Sequence, residues 1–245
     1  MAVYGLVGFP LGHSFSRKYF TDKFETEGIA EASFELMPME LVSGLREKIA
    51  SMPDLRGFAV TIPHKQAVIH LLDHISDEAK TIGAVNCIKV ENGILTGYNT
   101  DVAGFEQSLV PLLKPHHQAA LVFGTGGASK AVQYALRKIG IPYLLVSRDA
   151  SATNADLSYT DIDEECMNRH KILINASPAG MTPDEDSCPP IPYEFITPEH
   201  LAYDLVYKPA ETKFLGLAGE KGATCKNGFD MLIIQAEANW KIWNS

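Results

Sequence analysis

Two short segments of this 245-residue chain carry residues whose types and spacing point to a bound dinucleotide. Gly124-Thr125-Gly126-Gly127-Ala128-Ser129 follows the apolar run Ala119 to Phe123 and opens a helical pattern. In that setting a glycine-rich turn lets backbone N–H groups approach a pyrophosphate. The position that often holds a third glycine is Ser129, and the same residues would also serve as a plain tight turn. A NAD-binding unit usually places Asp or Glu at the end of the next strand, to hold a ribose hydroxyl. Here that strand, YLLVS, ends in Ser147-Arg148, and a guanidinium there suits the 2′-phosphate of NADP. Asp149 comes next, which keeps NAD open, and a solvated arginine at a strand end is the plain alternative.

A second group of residues suits acid/base chemistry on a hydroxylated carboxylate. Hydride exchange at a secondary alcohol needs a group that handles the hydroxyl proton and polar side chains that orient the ring. Val60-Thr61-Ile62-Pro63-His64-Lys65 runs off the carboxyl end of a strand into a turn or helix start, where open α/β sheets place ligands. A cation at a helix start is opposed by the macrodipole, which favours the neutral amine; the alternative for Lys65 is solvated surface. Ser14 and Ser16 precede or open the first helix and could present hydroxyls to an anion, although Ser16 also reads as a simple N-cap. Gly97-Tyr98-Asn99-Thr100-Asp101 ends a hairpin and begins the connector helix, so Asp101 is expected between the two domains; the plain alternative is a helix cap. On the last helix Met231, Gln235, Ala238 and Ile242 share a stripe, so Gln235 is an amide on an apolar face that needs a partner.

The elements that must position these groups form two βαβ series. Strands at Val3 to Val7, Ser33 to Met37 and Gly57 to Thr61 alternate with helical patterns at Arg17 to Glu27 and Glu40 to Ala50. A hairpin, Asn86 to Val90 and Ile94 to Tyr98, turns at Asn92-Gly93, the pair suited to a type I′ turn. A connector helix, Thr100 to Leu113, precedes a second series: strand Ala119 to Phe123, helix Ala128 to Ile139, and strands Tyr143 to Ser147, Lys171 to Asn175 and Leu201 to Asp204. The segments 149–169 and 178–198 show no clear pattern. The expected fold is therefore α/β. Residues 1–100 form an N-terminal domain with a mainly parallel sheet, 101–115 a connector, and 116–228 a Rossmann-type dinucleotide-binding domain. Helix 229–243 packs back near the first domain, with a cleft between the two.

Composition narrows the function class. A formal net charge of −9, without a Lys/Arg cluster, speaks against nucleic acid or an anionic membrane as partner. No stretch is apolar enough to span a bilayer, and no signal-peptide pattern opens the chain, so a cytoplasmic protein is expected. Its four cysteines lack C-x-x-C spacing and its eight histidines lack ligand spacing, so no metal is expected. The expected partners are small molecules, with the chain acting as a monomer or homodimer.

Taken in order, these motifs resemble the shikimate dehydrogenase family along essentially the whole chain. His13-Ser14-Phe15-Ser16 is similar to the family's S-x-S substrate loop, VTIPHK to its V-T-x-P-x-K segment, and GAVNCI to its G-A-x-N segment. GYNTD resembles the segment with the catalytic aspartate. INASPAGM, DLVYKPAETKFL and NGFDMLIIQA resemble the loops and last helix that complete the site. The resemblance implies reversible, NADP-linked reduction of 3-dehydroshikimate to shikimate on the route to chorismate and the aromatic amino acids. It implies Lys65 and Asp101 as the catalytic pair, Ser14 and Ser16 on the carboxylate, and Thr61, Asn86, Asp101, Tyr207 and Gln235 around the ring. On the cofactor it implies Gly124, Gly126, Gly127 and Ala128 at the pyrophosphate and Arg148 at the 2′-phosphate. Ser177, Met181, Val206 and Gly228 would lie along its length. The family usually reads Asn-Arg-Thr and a further basic residue where this chain reads Ser147-Arg148-Asp149. A relaxed quinate/shikimate dehydrogenase using NAD or both cofactors is therefore the alternative, and a catalytically silent dinucleotide sensor a more distant one.

Overall fold

The computed structural model describes residues 1–12 and 15–245. Contacts group these into two compact units, residues 1–100 with 236–245, and residues 101–235.

The first unit holds β1 (Ala2–Gly8), α1 (Phe15–Thr26), β2 (Ala32–Pro38), α2 (Leu45–Ala50), β3 (Leu55–Val60), β4 (His74–Ile75), α3 (Asp77–Ile82), β5 (Cys87–Glu91) and β6 (Ile94–Tyr98). Its sheet runs β2-β1-β3-β5-β6-β4, and β5 alone points against the others. The reversal is built by the β5–β6 hairpin, where Asn92 (φ 52°) and Gly93 (φ 80°) supply the two left-handed residues of the tight turn. One face of the sheet is covered by aromatics: Phe20 stacks on Phe34 at 4.8 Å, and Trp243 lies 5.3 Å from Tyr4. Gly57 is a glycine because a Cβ there would meet the Trp243 indole at 2.1 Å.

Two sequence expectations change here, and one helix is added. The helix expected over Glu40 to Ala50 is a 3-10 turn at Val42–Gly44 followed by the short α2, since Gly44 interrupts a regular helix. Lys65 precedes only a five-residue 3-10 helix, Ala67–Leu71, so few peptide dipoles align behind it. α3 went unread although its signals are present: Ser76 caps it by accepting from Ala79 N–H, and Gly83 closes it at φ 70°.

The second unit opens with α4 (Asp101–Leu109), which tightens into a 3-10 turn because Pro111 has no N–H to continue the helix. Then follow β7 (Ala120–Phe123), α5 (Gly127–Lys138), β8 (Tyr143–Ser147), α6 (Ala150–Thr153), β9 (Leu157–Ser158), α7 (Glu164–Arg169), β10 (Ile172–Asn175), β11 (Leu201–Asp204), α8 (Lys213–Glu220), β12 (Thr224–Lys226) and α9 (Phe229–Trp243), the last crossing into the first unit's residues. The sheet order β12-β11-β10-β7-β8-β9, with every pair parallel, is the doubly wound dinucleotide-binding order. Its switch point lies between β7 and β10. The stretch 149–169, patternless in sequence, holds α6, β9 and α7, with Asp149 and Asp163 as the helix caps. No helix among the described residues is long and apolar enough to cross a membrane.

Candidate active site

In the first unit the carboxyl ends of the central strands bring three of the sequence-derived residues together. Val60 N–H donates to Asn86 C=O at 2.8 Å, Thr61 N–H to Val7 C=O at 2.9 Å, and Val85 N–H to Lys65 C=O at 2.7 Å. Thr61, Lys65 and Asn86 are thus held at one end of the sheet. The turn bearing Lys65 is pinned by the buried His64, whose Nε2 donates to Met39 C=O at 2.5 Å. Asn86 is buried and oriented by its neighbours. Thr100 N–H donates to Asn86 Oδ1 at 2.7 Å, and Asn86 Nδ2 donates to Thr100 Oγ1 at 3.0 Å. The Thr100 hydroxyl in turn donates to Asn239 Oδ1 at 2.7 Å. Asn99 Nδ2 donates to Ala84 C=O, tying the GYNTD and GAVN segments together.

Ser14 lies outside the described residues. Ser16 is the second residue of α1, in its first turn and not at its N-cap. Asp101 is the buried first residue of α4. Tyr207 is half-buried, and burial raises its phenol above the usual range. Gln235 is buried and its Nε2 donates to Leu232 C=O at 3.0 Å. Along α9, Met231, Gln235, Ala236, Asn239 and Trp243 are buried, Ala238 is partly buried, and Ile242 is partly buried against the cluster that includes Trp243. The buried face is therefore wider than the expected stripe, and the amide of Asn239 extends it beyond where apolarity alone put it.

The second unit carries the nucleotide candidates around its switch point. Gly124 (φ 108°) closes β7 in a conformation that side chains disfavour, and a Cβ there would lie 3.0 Å from Ser177 N. A Cβ at Gly126 would meet nothing within 4 Å, so the backbone at the start of α5 is open to a ligand. The free N–H groups of the twelve-residue α5 begin there. Ser129, at the third motif position, is fully buried and accepts from Gln133 Nε2 at 3.1 Å. Val206 and Gly228 are joined, Gly228 N–H donating to Val206 C=O at 3.2 Å. Met181 is 41% exposed.

Arg148 is exposed at the end of β8. The Asp149 carboxylate accepts from Ala152 N–H at 3.0 Å and Ser151 Oγ at 2.8 Å. Those two bonds hold its pKa below the usual carboxylate range. It is therefore engaged as the cap of α6, which weakens its case as a ribose acceptor.

Sequence reasoning missed the fully buried Asn175 and Asp204, which end β10 and β11. The available signal was a polar residue closing each of two buried apolar strands at the ligand end of the sheet. Burial raises the Asp204 pKa to about 6 despite hydrogen bonds from Thr212, Val206 and Asn175. A carboxyl whose folded pKa exceeds its unfolded value contributes stability below about pH 4 and loses it as pH rises through about 6. Relative to the Asp204→Asn variant, the wild-type protein should therefore gain on the order of 2–3 kcal/mol on going from about pH 8 to pH 4. Denaturant melts of both proteins across that range check this; parallel curves would show that Asp204 titrates normally.

Residues 6–88 match the profile of the shikimate dehydrogenase substrate binding domain. The NADP(+) shikimate dehydrogenase of Aquifex aeolicus strain VF5 is 38% identical over 99% of this chain and 91% of its own length. The chain belongs to the shikimate dehydrogenase family. The crystal structure of the Aquifex aeolicus shikimate dehydrogenase superposes with a TM-score of 0.88 at 34% identity, covering 100% of this chain and 92% of that one. The shikimate 5-dehydrogenase of Thermus thermophilus, solved in complex with NADP(H) and shikimate, gives 0.86 at 32% identity, covering 99% and 93%.

Proposed function

We propose that this chain is an NADP-linked shikimate dehydrogenase, catalysing the reversible reduction of 3-dehydroshikimate to shikimate. The observation that carries the reading is the doubly wound sheet with an open glycine turn at its switch point, in a chain of this family. When bound, the nicotinamide supplies or accepts the hydride; the chain's residues do the rest. Gly124, Gly126, Gly127 and Ala128 hold the pyrophosphate with backbone N–H groups, and Arg148 pairs with the 2′-phosphate. Ser177, Met181, Val206 and Gly228 lie along the remainder of the cofactor.

On the substrate side Ser14 and Ser16 take the carboxylate, and Thr61, Asn86, Tyr207 and Gln235 orient the ring hydroxyls. Lys65 and Asp101 hold and move the proton of the reacting hydroxyl: in the reduction direction it goes to the carbonyl oxygen, and in oxidation it leaves with them. Residues 1–100 act as the substrate domain, 116–228 as the dinucleotide domain, and 229–243 packs near the former. We place the protein in the cytoplasm, a setting that suits cysteines not joined in disulfides, as a monomer or homodimer.

The test is selectivity. kcat/KM should be higher with NADP+ than with NAD+ and with shikimate than with quinate, and Arg148→Ala should raise KM for NADP+ about tenfold or more while leaving NAD+ within about twofold. Equal efficiency with both cofactors, or efficient quinate oxidation, would instead support the relaxed quinate/shikimate reading.

A further inference from the structure

Asn175 and Asp204 occupy the same register position at the ends of the neighbouring strands β10 and β11, beside Phe123, the residue before the glycine turn. Neither side chain reaches solvent. Asn175 uses its amide completely: Nδ2 donates to Asp204 Oδ1 and to Ala179 C=O, both at 3.0 Å. Its Oδ1 accepts from Ser177 N–H at 3.1 Å and from Ser177 Oγ at 2.6 Å. Asp204 continues the chain, Oδ1 accepting from Val206 N–H at 2.9 Å and Oδ2 from the Thr212 hydroxyl at 2.6 Å. Thr212 caps α8 through Leu215 N–H and packs under Gly180, where a Cβ would lie 3.2 Å from it. A Cβ at Gly124 would meanwhile stand 3.0 Å from Ser177 N and 3.1 Å from the Ala176 carbonyl, so the glycine turn lies tight against the Ser177 loop.

Buried, fully paired polar networks at strand ends rigidify what they connect. What this one connects is three loops: the Gly124 turn, the loop of Ser177 and Met181, and the loop of Val206 and Tyr207. We propose that Asn175 and Asp204 are positioning residues of the cofactor site, an amide–carboxylate joint that fixes those loops against one another. The joint rests on the cofactor reading above. It touches no reacting atom; it acts through Ser177 and Val206. The loss of solvation that a buried carboxylate suffers also fits a group kept for its role at a site, since an apolar pair would satisfy packing alone.

The test uses the full chain and two ligands measured one at a time by calorimetry. Asn175→Asp removes the two donors and sets two carboxyl groups against each other, leaving the contacts to Ser177 possible. The expected result is a folded protein whose Kd for NADP+ rises about tenfold or more, while its Kd for shikimate stays within about threefold. A folded variant with NADP+ affinity within about twofold of wild type overturns the proposal. So does equal weakening of both ligands, which would mark a general structural role. If Asn175→Asp does not fold, Thr212→Val removes the donor at the far end of the joint and is judged by the same readings. Wild-type protein that fails to bind NADP+ at all would defeat the functional reading itself, and the joint with it, before any variant is compared.

Discussion

Lys65→Ala is expected to lower kcat by about a hundredfold or more, the usual contribution of a positioned acid/base. NADP+ affinity should be unchanged, because no part of the proposed nucleotide site lies in that turn. The expectation follows from how the backbone is held. Lys65 C=O accepts from Val85 N–H, next to the buried Asn86, and the adjacent His64 ring anchors the turn. The ammonium group is therefore presented from a fixed turn, in a segment where a surface lysine would need no such anchoring. Lys65→Arg should fare little better, since a guanidinium keeps its proton at any working pH. Steady-state kinetics with saturating shikimate and NADP+ make the measurement. Unchanged turnover in Lys65→Ala would remove this residue from the mechanism.

The second large effect is expected at Gly228. An added Cβ would lie 2.1 Å from the Leu205 carbonyl oxygen and 2.7 Å from its carbon, both backbone atoms that no rotamer change can move. Gly228→Ala should cost about 2–3 kcal/mol of stability, the usual scale for a forced backbone shift, and should weaken NADP+ binding by displacing Val206. Gly126→Ala is the informative contrast. Nothing lies within 4 Å of its Cβ, so the fold should keep its stability to within about 1 kcal/mol while cofactor affinity falls. Thermal melts with and without NADP+ separate the two cases. Equal stability loss at both glycines would mean that the turn at Gly126 is packed and not open.

What could be read from sequence followed from local chemistry. Asn92-Gly93 specified its hairpin because few other residues accept two left-handed conformations in succession. The glycine turn was legible because an apolar strand and a helical pattern flank it. Groups whose meaning depends on register were not legible. Asn175 and Asp204 lie 29 positions apart and become partners only when β10 and β11 align. The buried face of α9 is wider than its apolar stripe for a related reason: Asn239 is buried because Thr100 offers it a hydroxyl, and periodicity cannot reveal a partner 139 residues away. Ser16 passed for an N-cap because the start of a helix is uncertain by a residue or two from sequence. Asp149 looked like a competitor for the cofactor until its carboxylate proved to cap its own short helix.

The most direct test of the central claim is product formation by the purified chain. Shikimate and NADP+ are supplied, and NADPH is followed by its near-ultraviolet absorbance while 3-dehydroshikimate is quantified by chromatography. The predicted result is one NADPH for each 3-dehydroshikimate, reversed when the products are supplied instead. NADPH formation absent in the wild-type chain, or present without 3-dehydroshikimate, would contradict it.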